Sequence, residues 1–173
     1  MTKKIMFNDN YCLTRAVLDG TKTMTRRMLK DGTPLGNWEE TQKKLPYKVG
    51  EVVAIAQSYN TIGKTQYDKF GNSVPGNSNK MFTRAELLPH HIQITDVKVE
   101  RLQSISDEDI LKEGVWQYPK LRAYHVSKAT GFAPDVAFLT AREAFAYLID
   151  RISGKGTWKS NPWVVAYSFE LID

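Results

Sequence analysis

Leu18-Asp19-Gly20-Thr21-Lys22-Thr23-Met24-Thr25-Arg26-Arg27 gathers an ammonium group, two guanidinium groups and several hydroxyls directly beyond a glycine. The glycine reads as the stop of a short helix. Upstream, Asn8, Asp9 or Asn10 can cap that helix, and Leu13, Ala16 and Val17 fall at helical spacing. Downstream, the Thr-rich run has extended or turn-like character. On a straight strand Lys22 and Thr25 would face opposite sides, so they converge only if the chain turns between them, as a loop leaving a helix does. An exposed basic strand is the alternative reading of the same residues.

Further out, residues 31–50 carry Gly32, Pro34, Gly36, Pro46 and Gly50 and read as a connecting loop. Glu51-Val52-Val53-Ala54-Ile55-Ala56-Gln57-Ser58 fits a buried strand, and residues 59–80, rich in Asn and Gly, fit a long surface loop of the kind that edges binding sites. His91-Ile92-Gln93-Ile94 and Val97-Lys98-Val99-Glu100-Arg101 alternate with opposite parity, which a β-bulge near Thr95-Asp96 reconciles. Ser106-Asp107-Glu108-Asp109 and Thr140 with Glu143 predict capping boxes, the first opening a helix that stops at Gly114, the second a helix with the stripe Phe145, Leu148, Ile149 and Ile152. Trp163 to Leu171 is the clearest strand. This order is not a repeating βαβ pattern, and it predicts a small α+β domain or mixed barrel.

The 173 residues suit one domain, with 42% hydrophobic and 25% charged residues as in an ordinary soluble protein. No apolar run is long enough for a membrane span or signal peptide, and a cytoplasmic location with no membrane partner is expected. The single cysteine, Cys12, excludes an internal disulfide and every cysteine-pair zinc site. His90 and His91, adjacent on a strand, point to opposite faces, so neither a metal nor another cofactor is expected. The net charge is +5; residues 1–48 hold ten Lys/Arg against five Asp/Glu, and the remainder is balanced. A localised basic region points to an anionic or nucleic-acid partner. The G-x-S-x-G, H-E-x-x-H and phosphate-loop patterns are absent.

The segment from Leu18 to Arg27 resembles the signature of the ASCH domain, a PUA-like β-barrel. Tyr47-Lys48-Val49-Gly50-Glu51-Val52-Val53 resembles that family's entry to a barrel strand. Ile94 through Asp109 to Glu113-Gly114 is similar to its strand-to-helix unit, and Ile152 to Trp158 with Asn161-Pro162-Trp163-Val164-Val165 to the closing strand of phage and prophage members. The resemblance implies one domain over residues 1–173, a mixed barrel with flanking helices, and insertions at about 31–46, 59–90 and 116–139. It also implies RNA or nucleotide binding, or hydrolysis of an acylated cytidine as in one bacterial branch. Carried over by motif, that branch's Lys, Thr and Glu fall on Lys22, Thr25 and Glu113. Arg26 and Arg27 join Lys22 as nucleic-acid contacts, and Tyr59, Trp116 and Trp158 are candidates for base stacking.

Those side chains suit amide hydrolysis. Thr25 serves as nucleophile or water holder, Lys22 as base or oxyanion partner, and Glu113 as proton shuttle to the departing nitrogen. The same cluster serves a binding module equally well, and a phage-related protein-interaction role is a third reading.

Overall fold

The computed structural model describes residues 1–173, and its centre is the strand that the closing alternation predicts. This strand, β8 (Trp163–Leu171), pairs antiparallel with β4 (His91–Arg101) on one side and β2 (Met24–Met28) on the other. Val165, Tyr167 and Phe169 are buried on one face, and Val164 and Ala166 are buried too, so the strand is covered on both sides. β4 carries the expected bulge: Ile94 sits opposite Phe169 and Asp96 opposite Ser168, leaving Thr95 as the extra residue that switches the inward parity.

β3 (Val52–Ile55) pairs antiparallel with β4, and β1 (Lys3–Ile5) pairs parallel with β3. The five-stranded sheet therefore runs β1-β3-β4-β8-β2. The mixed α+β arrangement is the one expected, and no ladder joins the sheet's end strands β1 and β2. β1 is only three residues long, and Asn8, whose side chain accepts the Asn10 N–H, turns the chain into a 3-10 turn at Asp9–Tyr11 before it can run alongside β2. One side chain crosses the seam: Arg27 on β2 donates from Nη2 to the Met6 carbonyl at 2.5 Å.

Helix α1 (Leu13–Leu18) ends at Gly20, whose φ of +77° lies in the left-handed region that favours glycine. Helix α2 (Trp38–Lys44) occupies the stretch 31–46. In α3 (Asp107–Lys112) and α4 (Ala141–Ser153), the Ser106 and Thr140 hydroxyls accept the Asp109 and Glu143 N–H groups at 3.1 Å each, as the capping pattern predicts. Phe145, Leu148 and Ile149 of α4 enter the main core beside Ile5, Ile55, Ile94 and Tyr167. Full burial of each such side chain contributes about 2 kcal/mol. A short α5 (Thr157–Ser160) precedes β8.

The stretch 116–139 forms a second antiparallel sheet of β5 (Trp116–Gln117), β6 (Tyr124–Ser127) and β7 (Asp135–Phe138). The stretch 59–90 is mainly turns, tied to β1 by the Lys4 ammonium, which donates to the carbonyls of Lys80, Met81 and Thr83. No helix is long and apolar enough to cross a membrane.

Candidate functional site

A cavity of about 590 Å³ opens at the seam between the sheet's two ends. Met6 to Asn10, following β1, form one wall; Lys22 and the β2 residues Thr25 to Met28 form another; α4 closes the apolar side with Phe145, Leu148 and Ile149. Glu113, at the C-terminal end of α3, completes it. Lys22, Thr25, Arg26, Arg27 and Glu113, all named from the sequence, line this one space.

The turn that the sequence reading requires is present. Thr21 and Lys22 donate their N–H groups back to the Ala16 carbonyl, and Thr23 donates to the Lys112 carbonyl. Lys22 thus lies on a loop bend just before β2 and reaches the same cavity as Thr25. Its ammonium donates to the Met24 carbonyl at 2.7 Å, the Glu113 carbonyl at 2.8 Å and Glu113 Oε2 at 3.1 Å. Three acceptors match the three donors of an ammonium, which is how the side chain tolerates an exposure of only 2%. Burial pushes its pKa down from the ordinary lysine value, opposed by the Glu113 charge and assisted by Arg27 and Arg26.

Arg26 holds the other oxygen of Glu113, donating from Nη1 to Oε1 at 2.9 Å. Its Nη2 and Nε reach Glu100 Oε1 at 2.7 and 3.2 Å, and Nη2 lies 3.4 Å from Asp109 Oδ2. Burial opposes its charge, but the carboxylates, Glu113 first, prevail and raise its pKa further. Glu113 is consequently fixed at both oxygens, between an ammonium and a guanidinium. Thr25 is buried, and its hydroxyl has no hydrogen-bond partner within the protein, so it is available to something in the cavity.

The basic excess of residues 1–48 has a largely internal explanation. Lys3 pairs with Glu51, Arg15 with Asp19 and Lys43 with Glu40; Lys4 and Lys48 donate to backbone carbonyls; Lys22, Arg26 and Arg27 are engaged as described. Lys30 and Lys44 remain without such partners. Arg26 in particular is neutralised within the protein and organises Glu113.

None of the three aromatic residues proposed for stacking lines this cavity. Trp158 packs edge-on against Phe145 at 5.9 Å, with the Arg142 guanidinium 5.0 Å above its ring. Trp116 stacks on His125 at 4.6 Å and donates to Ser127 Oγ, and Tyr59 Oη accepts the Arg84 N–H at 3.4 Å. The aromatic ring at the charged end of the cavity is Phe7, with Lys22 Nζ 5.7 Å and the Arg27 guanidinium 5.6 Å from its centre. The sequence gives Phe7, Glu100 and Asp109 no role at the site, and Asp109 reads there only as the acid of the α3 capping box. Phe7 reads there only as part of the run before the Asn8 cap, whereas a carboxylate at Glu100, two positions along the strand from Lys98, carries no signal of the arginine it meets. Lys80, from the long loop, also lines the cavity and pairs with Asp9 at 2.9 Å. His90 and His91 both contact the C-terminal Asp173, and no group of three or more His, Cys, Asp and Glu is assembled for a metal ion.

No family model and no curated protein matches the sequence. Among solved structures, the chain is similar to a protein from Enterococcus faecalis V583 described under the family model DUF984, with 15% identity, a TM-score of 0.48, and coverage of 100% of this chain and 82% of that one. It is also similar to an ASCH domain from Lactobacillus crispatus JV V101, with 12% identity, a TM-score of 0.41, and coverage of 98% and 78% respectively.

Proposed function

We propose that this chain is an ASCH-like domain whose sheet is a PUA-type barrel left open at the β1–β2 seam, and that it takes a nucleobase or nucleoside into the cavity there. The observation that carries the reading is the meeting of Lys22, Thr25 and Glu113 on one cavity, with Lys22 Nζ 3.1 Å from Glu113 Oε2. A cleft of this size with a few convergent polar groups suits a small planar ligand. The internal neutralisation of Arg26 favours such a ligand over a long polyanion tracked across the surface.

Hydrolysis of an acyl amide on a cytosine-type nitrogen is the second reading, favoured by an unpartnered Thr25 hydroxyl that lines the same cavity as a carboxylate held at both oxygens. A water bound to Thr25 Oγ1 adds to the acyl carbon and gives its proton to Glu113. The charge of Lys22, whose three donors remain on Met24 and Glu113, steadies the oxyanion through space. Collapse breaks the carbon–nitrogen bond, Glu113 returns the proton to the departing amine, and the acyl group leaves as a carboxylic acid.

Incubation with N4-acetylcytidine, followed by chromatography, tests this reaction. Turnover that disappears in both Lys22→Ala and Glu113→Ala supports it, and a folded wild-type protein with no turnover removes it for that substrate. Calorimetric titration with cytidine tests the binding reading: saturable binding weakened by Thr25→Val supports it, and no heat of binding for any pyrimidine or purine nucleoside removes it.

A further inference from the structure

The small sheet of residues 116–139 ends on an unpaired edge. β7 is its last strand, with β6 on one side and no strand on the other. The Lys128 N–H donates to the Pro134 carbonyl at 2.8 Å, in the same register as the pairs Val126–Val136 and Tyr124–Phe138. Antiparallel pairs alternate between bonded and non-bonded positions. The main-chain groups of Val136 and Phe138 therefore face β6, and those of Asp135, Ala137 and Leu139 face away from it. Ala137 is exposed, and Leu139, one residue past the strand, is 85% exposed.

Unpaired edges invite other strands, and natural edges carry devices that discourage them. The other edges of this protein have such devices. β1 is three residues long and carries Lys3 and Lys4, β5 has two residues and is followed closely by Pro119, and β2 carries Arg26 and Arg27. From Asp135 to Leu139 there is no lysine, arginine, proline or bulge. The one charged side chain there, Asp135, is turned along the sheet onto His125 Nδ1. None of these residues lines the cavity of the candidate site.

We infer that β7 is an interaction edge whose partner is β7 of a second copy of this chain, running antiparallel about a two-fold axis at Ala137. The free groups recur at 135, 137 and 139. That axis sets Ala137 against its own counterpart and Asp135 against Leu139 of the second copy, each pair exchanging both main-chain hydrogen bonds. Val136 then lies opposite Phe138 of the second copy, apolar against apolar, on the face where Phe138 already packs against Tyr147 at 5.1 Å. The charges agree with the same axis. Each Asp135 meets a leucine, whereas an axis at Asp135 would oppose two carboxylates. A strand pair this short covers less than the roughly 800 Å² per partner of a standard interface, so the dimer is weak, with a Kd above about 1 µM.

Sedimentation velocity on the full chain from about 5 to about 500 µM tests the inference. The wild type is expected to pass from monomer towards dimer over that range. Ala137→Pro removes an N–H that makes no bond within the monomer. It should unfold at the temperature of the wild type and remain monomeric throughout. A wild type that is monomeric at every concentration overturns the inference, and so does a dimer that survives in folded Ala137→Pro. Where the proline variant does not fold, Ala137→Lys decides. It sets two ammonium groups against each other across the axis and should weaken the dimer at least about threefold, and unchanged association overturns the assignment. Deuterium exchange at the Ala137 and Leu139 amides should slow as concentration rises; dimerisation that leaves them unchanged places the contact elsewhere and equally overturns it.

Discussion

The Lys22 ammonium and the Glu113 carboxylate, 91 positions apart in the chain, lie 3.1 Å from each other with almost no access to water. The pair joins the loop after α1 to the end of α3. It depends on three more groups, because Arg26 occupies the second carboxylate oxygen and the backbone carbonyls of Met24 and Glu113 complete the ammonium shell.

Lys22→Met is therefore expected to destabilise the protein by about 3 kcal/mol or more, since it leaves a buried carboxylate with one partner and two carbonyls without a donor. Adding Glu113→Gln should restore part of that loss. Urea denaturation of the two single variants and the double variant measures the coupling; strictly additive effects would contradict a direct buried pair. The pH response has a definite sign. Burial lowers the folded-state pKa of Lys22 below 10.5, so between that lowered value and 10.5 the unfolded chain holds more protons. The Lys22 contribution to stability rises with pH through that window and is absent in Lys22→Met.

Tyr167 has the opposite alkaline behaviour. Its phenol is fully buried, has no hydrogen-bond partner, and is pushed up to about 12 by burial. Above pH 10 the unfolded chain releases this proton first, so stability falls, by about 2 to 3 kcal/mol at pH 12. Tyr167→Phe should be neutral or stabilising at pH 7 and should lose this component of the alkaline decline. Denaturation curves at pH 7 and across the range above 10 check both parts.

Gly114 follows the carboxylate that closes the site and has a φ of +114°. A Cβ there would lie 2.7 Å from Leu13 Cδ2, so Gly114→Ala combines backbone strain with a clash against α1. A loss of about 2 kcal/mol is expected. Because the strain falls beside Glu113, ligand affinity should fall with it. Calorimetry on the folded fraction separates the two effects, and a variant as stable as the wild type would show that α1 can move aside.

Ser106→Ala removes the hydroxyl that caps α3 and should cost about 1 kcal/mol in thermal unfolding. The effect on the cavity is expected to be small. The cap sits at the start of the helix and Glu113 at its end, where Arg26 and Lys22 already grip it. A large loss of binding would mean that the whole helix shifts.

Local rules carried much of this structure. The parity change around Thr95 announced the bulge, Ser106 and Thr140 announced two helix starts, and Gly20 announced the bend that lets Lys22 and Thr25 meet. The resemblance of residues 18–27 and 94–114 to one family drew Glu113 into the same site. What escaped were pairings between distant segments. Nothing near Arg26 in sequence foretells Glu100 or Asp109, and the positive balance of residues 1–48 looks like a surface for an outside partner until its carboxylates and carbonyls are located. The open seam was equally hidden, because whether β1 and β2 pair depends on where Asn8 diverts the chain and not on the pattern of either strand. Residues 116–139 read as an elaboration, and their three-stranded sheet rests on cross-strand pairs that a single-strand pattern does not reveal.

The absence of a ladder between β1 and β2 has a kinetic meaning. Widening the gap there breaks no inter-strand backbone hydrogen bond, only the side-chain tie of Arg27 to the Met6 carbonyl. Solvent and small solutes can thus enter through fluctuations far smaller than those that unfold the sheet. Amide protons of residues 6–10 should exchange with deuterium much faster than those of β8, and a ligand seated in the cavity should slow the former while leaving the latter as they were.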